Sequence, residues 1–160
     1  MPSINIVVRK SSTAITDVKG KCRDLVNEVF ECFGRVYWVP EEYLDIWSGL
    51  AGSDPTFIAK IVDALVLGAV ASGMPRDLAY KAILDVLEGT TQYLRSNPSL
   101  HPAEMRDAVT TPAETTIRGL MTMESRGVKA ALKRTVEATY RRSVRIGKDI
   151  DEYVKEELSI

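Results

Sequence analysis

Threonine and serine hydroxyls, two carboxylates and a single imidazole, all placed at helix starts, are the side chains of this chain with chemical potential. His101 is the only histidine, and its ring is the natural candidate for proton transfer near neutrality. It stands, however, in a His-Pro helix entry, where a structural contact accounts for it. Thr111-Pro112-Ala113-Glu114 reads as a capping box, with Thr111 at the cap, Pro112 at the first helical position and Glu114 at the third. Ser53-Asp54-Pro55 reads in the same way, Asp54 capping a helix that Pro55 begins. Helix starts present backbone N–H groups that suit an anion, so for Thr111, Thr116, Ser53 and Asp54 both capping and ligand contact stand open. Cys22 and Cys32, on one helix, lie about 15 Å apart, beyond disulfide reach. Two thiols and one imidazole also make a poor metal site.

Bulk properties narrow the classes. The 160 residues are 45% hydrophobic and 27% charged, with a formal net charge of -1, the composition of an ordinary soluble globular protein long enough to bury a core. That charge gives no reason to expect nucleic acid as a partner. The most apolar run, Phe57 to Met74, is interrupted by Lys60 and Asp63, so no membrane span is expected. A cytoplasmic location follows as the expectation. There is no Walker loop, G-x-S-x-G elbow, HExxH, CxxC or GxGxxG.

The elements that must position these residues read as follows. Residues 3–8 (SINIVV) and 13–17 (TAITD) are rich in β-branched residues and separated by polar RKSS, predicting two strands joined tightly. A helix is predicted from Lys21 to Phe33, stopped by Gly34, then a strand from Arg35 to Val39. Beyond Pro40 everything reads as helix: 41–50, then a central helix through Phe57 to Ser72, apolar nearly all round and therefore buried. Arg76 to Arg95 follows, then Ala103 to Val109, Pro112 to Ser125, and Val128 to about Leu158. Trp38, Trp47, Tyr80, Tyr93 and Tyr140 read as packing residues.

The last helix carries an apolar stripe of Leu132, Val136, Tyr140, Val144, Ile150, Val154 and Leu158. At about 45 Å it outruns the roughly 15 Å radius of so small a globule, so much of it should pack on another subunit. Arg126 to Lys148 holds eight basic residues against Glu137 alone, and Asp149 to Glu157 holds five acidic residues against Lys155. This is either a solvated face or the mark of two helices paired antiparallel, basic half on acidic half.

The stretch HPAEMRDAVTTPAETTIRGL, His101 to Leu120, closely resembles the substrate loop of pyrroline-5-carboxylate reductase, whose pattern reads approximately HPaeLrdaVtSPgGTTi. LAGSDPTF (Leu50 to Phe57) is similar to that family's LSGSGPAY, and GMPRDLA (Gly73 to Ala79) to its GLPRELA. Met1-Pro2-Ser3 resembles the family's MPN, which lies deep inside its nucleotide-binding domain.

The resemblance implies a mainly α fold. A helical dimerisation and substrate-binding domain of the 6-phosphogluconate-dehydrogenase-like type (41–160) would be preceded by a small β-β-α-β remnant of a Rossmann sheet (1–40). It implies NAD(P)H-dependent reduction of pyrroline-5-carboxylate to proline, and a homodimer or larger assembly. With no Gly-rich pyrophosphate turn, no cofactor-binding residue is expected here. NADPH or NADH would enter only with a Rossmann domain, whether on a longer chain or on a separate nucleotide-binding chain, and the chain alone would be inactive. A non-catalytic dimeric scaffold is the alternative.

By the same resemblance Thr111, Ala113, Glu114, Thr115, Thr116 and Ser53 would line the substrate site, Thr116 hydrogen-bonding the imine. Two departures matter. Ala113-Glu114 stands where the family has Gly-Gly, and Asp54 where it has glycine. A Glu114 carboxylate about 4 Å from a substrate carboxylate would cost on the order of 4 kcal/mol, roughly a thousandfold in affinity.

Overall fold

The computed structural model describes residues 1–16 and 22–158. The expected strand end at Asp17 and helix start at Lys21 lie outside the described residues. The chain divides into two compact units, one of Met1–Phe57 with Leu132–Ile160 and the other of Ile58–Ala131.

The first unit holds two strands, β1 (Ser11–Ile15) and β2 (Gly34–Trp38), and the helix between them, α1 (Arg23–Glu31). The strands are parallel, with Ser11 opposite Gly34 and Ile15 opposite Trp38, as a strand–helix–strand crossover requires. Gly34 is dictated by this register. Its φ is +146°, and a Cβ there would lie 2.2 Å from the Ser11 carbonyl oxygen. β1 is the buried strand. Ala14 packs inside it, the Ser3 N–H donates to Ser11 Oγ at 3.1 Å, and Ser11 Oγ and Thr13 Oγ1 share a hydrogen bond at 3.0 Å.

One expected strand is not there. Ile4–Val8 is a short 3-10 helix, closed by Arg9 in the left-handed region at φ 56°. A β-branched run becomes a strand only when a neighbour completes its ladder. Here Ile6 N–H bonds back to Ser3 and Arg9 N–H to Ile6 instead, leaving Val7 79% exposed. The β-β-α-β expectation is thus corrected to a 3-10 turn followed by β-α-β.

After β2 the chain enters a helical run: a 3-10 turn Glu41–Tyr43, α2 (Leu44–Trp47) and a π turn Ser48–Gly52. Trp47 ties this run to the sheet. Its indole N–H donates to the Ser12 carbonyl at 3.3 Å and its ring lies 5.1 Å from that of Tyr37. Trp38 donates to Asn27 Oδ1 at 2.9 Å and carries the Arg23 guanidinium 4.6 Å above its ring. Both tryptophans are packing residues. The final helix, α7 (Val128–Leu158), passes this run closely. Ser143 Oγ donates to Asp45 Oδ1 at 2.7 Å, and a Cβ on Gly49 would meet the Tyr140 nitrogen and Val136 oxygen at 3.3 Å.

The second unit is helical. It contains most of α3 (Asp54–Ala71), then α4 (Arg76–Ser96), α5 (Pro102–Ala108) and α6 (Thr115–Ser125). Its core is Val62, Val66 and Ala79, supported by Ala69, Val70, Ile83 and Leu87. The expectation that α3 is buried all round needs correction, because only Val62 and Val66 of it are buried while Ile58, Leu65 and Leu67 stay exposed. One chain supplies neighbours for one face only. Among the described residues, no helix is long and apolar enough to cross a membrane.

Candidate functional site

The segment from His101 to Thr116 is a helix, a turn and a helix start. His101 caps α5: its Nδ1 accepts the Ala103 N–H at 3.1 Å, with Pro102 at the first helical position. The imidazole therefore does structural work. Beyond α5, Thr110 Oγ1 donates to the Arg106 carbonyl at 2.6 Å, and the chain turns through Thr111–Glu114.

That turn is not the capping box its residues spell. Ala113 adopts φ 63°, in the left-handed region, which interrupts any helix begun at Pro112. Glu114 takes extended backbone (φ −90°, ψ −171°) as the N-cap residue of α6, with no side-chain capping bond, and the helix starts at Thr115. The Glu114 carboxylate instead accepts the Thr111 hydroxyl through Oε2. Two chemical consequences follow. Thr111 has one O–H, and it is committed to Glu114, so only its acceptor capacity remains. The first-turn N–H groups of α6 take no bond from the side chain that precedes them. Thr111, Ala113, Glu114 and Thr115 are exposed and Thr116 is half-buried.

Ser53 belongs to the other unit and is described by itself. Its N–H bonds five residues back to the Ser48 carbonyl at 3.1 Å, closing the π turn. Such single turns frequently mark functional places in helices. Ser53 is in the right-handed helical region (φ −93°, ψ −25°), so no extended cap precedes α3. Asp54 is already the first residue of α3 and Pro55 the second, a shift of one residue from the capping grammar. Asp54 is half-buried, and burial holds its carboxyl above the ordinary aspartate range.

Reading the sequence did not reveal the π turn; the glycines of SGLAG (Ser48–Gly52) were its only signal. Nor did it reveal the left-handed Ala113, for which the glycine at that place in the quoted loop pattern was the pointer. Cys22 and Cys32 are both free and exposed. Among the described residues no group of histidine, cysteine and carboxylate side chains gathers to hold a metal.

Residues 41–146 match the family model described as pyrroline-5-carboxylate reductase dimerisation. Among curated relatives, the pyrroline-5-carboxylate reductase of Thermus thermophilus is 38% identical over 151 residues, covering 92% of this chain and 57% of the relative. That of Synechocystis is 36% identical, covering 92% and 56%. The solved 1-pyrroline-5-carboxylate reductase of Streptococcus pyogenes superimposes with a TM-score of 0.85 at 29% identity, over 89% of this chain and 56% of that one. The Plasmodium falciparum pyrroline carboxylate reductase, solved with NADP bound, shares the fold with a TM-score of 0.84 at 22% identity, over 92% and 60%. This chain thus spans a little over half the length of the relatives it matches.

Proposed function

The chain belongs to the pyrroline-5-carboxylate reductase family, and on that premise we propose that it provides the dimer-forming, substrate-holding part of a cytoplasmic reductase that converts pyrroline-5-carboxylate to proline. The division proposed with it is a Rossmann remnant at 1–40 and a helical domain at 41–160. The bound nicotinamide cofactor would supply the hydride. The chain's own task is to anchor a small cyclic imine carboxylate and hold its C=N in place.

The turn at Thr111–Thr116 is the anchor in this reading. First-turn N–H groups of α6 would hold the substrate carboxylate, and the Thr116 hydroxyl would donate to the imine nitrogen and so polarise the C=N. The observation that carries this reading is Ala113 at φ 63°. Alanine occupies a backbone conformation that suits glycine, at the place where the family pattern has glycine. The turn has kept a glycine shape without the glycine, while Glu114 has brought a negative charge to it.

For the cofactor the fit is poor. The first unit has an open groove of about 450 Å³, lined by Thr16, Arg23, Trp38, Val39, Pro40 and Glu41, beyond the carboxyl ends of β1 and β2. Arg23 and Trp38 are engaged with one another, Glu41 adds negative charge, and the sequence has no Gly-rich turn for a pyrophosphate. We therefore read the cofactor as supplied by a nucleotide-binding domain, on a longer form of this chain or on a separate chain. Calorimetry of this chain with NADPH or NADH is expected to give no binding, and a low-micromolar constant would refute that assignment.

The test of the substrate turn is a double variant, Ala113→Gly with Glu114→Gly, titrated with proline or a cyclic carboxylate analogue. Weak binding is expected in the variant and none in the wild type. A folded double variant that still binds nothing would leave the turn as structure only. Glu114, tied to Thr111 inside the turn, is the observation that favours a second reading, a non-catalytic dimeric scaffold.

A further inference from the structure

We propose that Glu114 supplies, from within the chain, a carboxylate in place of the one that pyrroline-5-carboxylate carries, so that this turn favours a cationic cyclic imine or amine with no carboxylate of its own. The proposal rests on the reading above of Thr111–Thr116 as the substrate anchor and adds a ligand class to it. All the residues concerned belong to the second unit.

The Glu114 carboxylate is aimed. Its Oε2 accepts the Thr111 hydroxyl, which ties the side chain back to the turn, and Ala113 at φ 63° reverses the chain between the two so that they meet. The same carboxylate is incompletely bonded. Among the described residues Oε1 has no donor, because the side chain makes no capping bond to the first-turn N–H groups of α6. Its charge is also left unpaired. Arg106, the nearest basic residue before it in sequence, is committed to Asp107 at 2.7 Å. Arg118, one turn into α6, is exposed, and among the described residues no basic side chain forms an ion pair with Glu114. An oriented carboxylate with a free oxygen and no cation beside it is a receptor for an N–H that carries positive charge.

A ligand carboxylate brought to this turn meets two penalties. The single Thr111 proton is already given to Glu114, and two anions would share one small turn. A ligand without a carboxylate meets neither. In pyrroline-5-carboxylate the carboxylate sits on the ring carbon next to the nitrogen. A protein carboxylate standing in its place is therefore close to that nitrogen, and a protonated C=N or a ring ammonium can donate to it in a charge-assisted bond. Thr116 then serves through its oxygen, because the cationic nitrogen has no lone pair with which to accept.

Titration of the full chain with pyrrolidine and with proline, followed by the amide shifts of Thr115 and Thr116, tests this. Wild type is expected to bind pyrrolidine at least about tenfold more tightly than proline. Glu114→Gln keeps the shape and an acceptor for Thr111 and removes only the charge. It is expected to weaken pyrrolidine by about fivefold, a modest factor because the turn is exposed and screened, and to strengthen proline. Equal binding of pyrrolidine by wild type and a folded Glu114→Gln chain overturns the proposal, as does a wild type that prefers proline. If the double glycine variant binds proline while wild type ignores pyrrolidine, the substrate anchor stands and the proposal falls. If neither ligand moves these amides in any of the three folded chains, both fall.

Discussion

The strand pair and the α3–α4 pair bury opposite things. Around β1 the buried residues are Ser3, Ser11, Thr13 and Ala14; the Ser11 hydroxyl accepts the Ser3 N–H and shares a bond with the Thr13 hydroxyl, while the Ser3 hydroxyl is buried without a partner. In the helical unit they are Val62, Val66 and Ala79, and apolar Ile58, Leu65 and Leu67 are left outside. Polar burial is satisfied bond by bond, and around β1 it leaves a single hydroxyl over. Apolar burial scales with area, and an all-round apolar helix carries more area than its own unit covers. The helices ask for a second surface.

Substitutions can break this contrast. The largest effect is expected at Val66, 3% exposed in the helical core. Val66→Asp should lower unfolding stability by about 4 kcal/mol, because it buries an unpaired charge. A loss under about 1 kcal/mol in urea unfolding would mean that the inner face of α3 is not sealed. Next comes Gly34→Ala, expected to cost about 3 kcal/mol from a left-handed φ and a backbone collision. Amide exchange should then show β1 and β2 opening while α4 stays protected; equal loosening of both units would erase the distinction between them.

Ala113→Gly sharpens the comparison from the other direction. Substituting glycine inside a turn ordinarily destabilises by adding chain entropy, but at φ 63° it removes a left-handed alanine worth about 1 kcal/mol. A rise in thermal midpoint is expected, and a fall would mean that Ala113 is relaxed in this turn. The smallest effect concerns Asp54. Burial raises its folded carboxyl above the ordinary aspartate range, so the folded chain binds this proton more tightly than the unfolded one does. Its contribution to stability is therefore fullest in acid and is lost as pH rises through the folded value. Asp54→Asn should melt slightly above wild type near neutral pH, and the gap should close in acid, below the ordinary aspartate range. A gap constant across that range would assign it to packing.

Much of this was written in local residue grammar. Arg76–Ser96 and Pro102–Ala108 follow from punctuation by Pro75, Asn97-Pro98 and His101-Pro102, and β1 and β2 from short β-branched runs flanking an amphipathic helix. What misled was residue type without partner. SINIVV has strand composition, but strand is a relation between two segments, and Ile4–Val8 closed on itself instead. Thr-Pro-Ala-Glu has the letters of a capping box, but the box needs right-handed backbone at the third letter, and Ala113 is left-handed. Nothing in an alanine announces that conformation.

The lone imidazole has a further use. Because His101 Nδ1 accepts the Ala103 N–H, the ring proton must reside on Nε2, a defined tautomer. With no second histidine in the sequence, a nitrogen-15 imidazole spectrum of this protein should contain one pair of signals, and the pair should change whenever the start of α5 unwinds. The chain carries its own reporter at the entrance to the turn that bears Ala113 and Glu114, readable without a label that perturbs it.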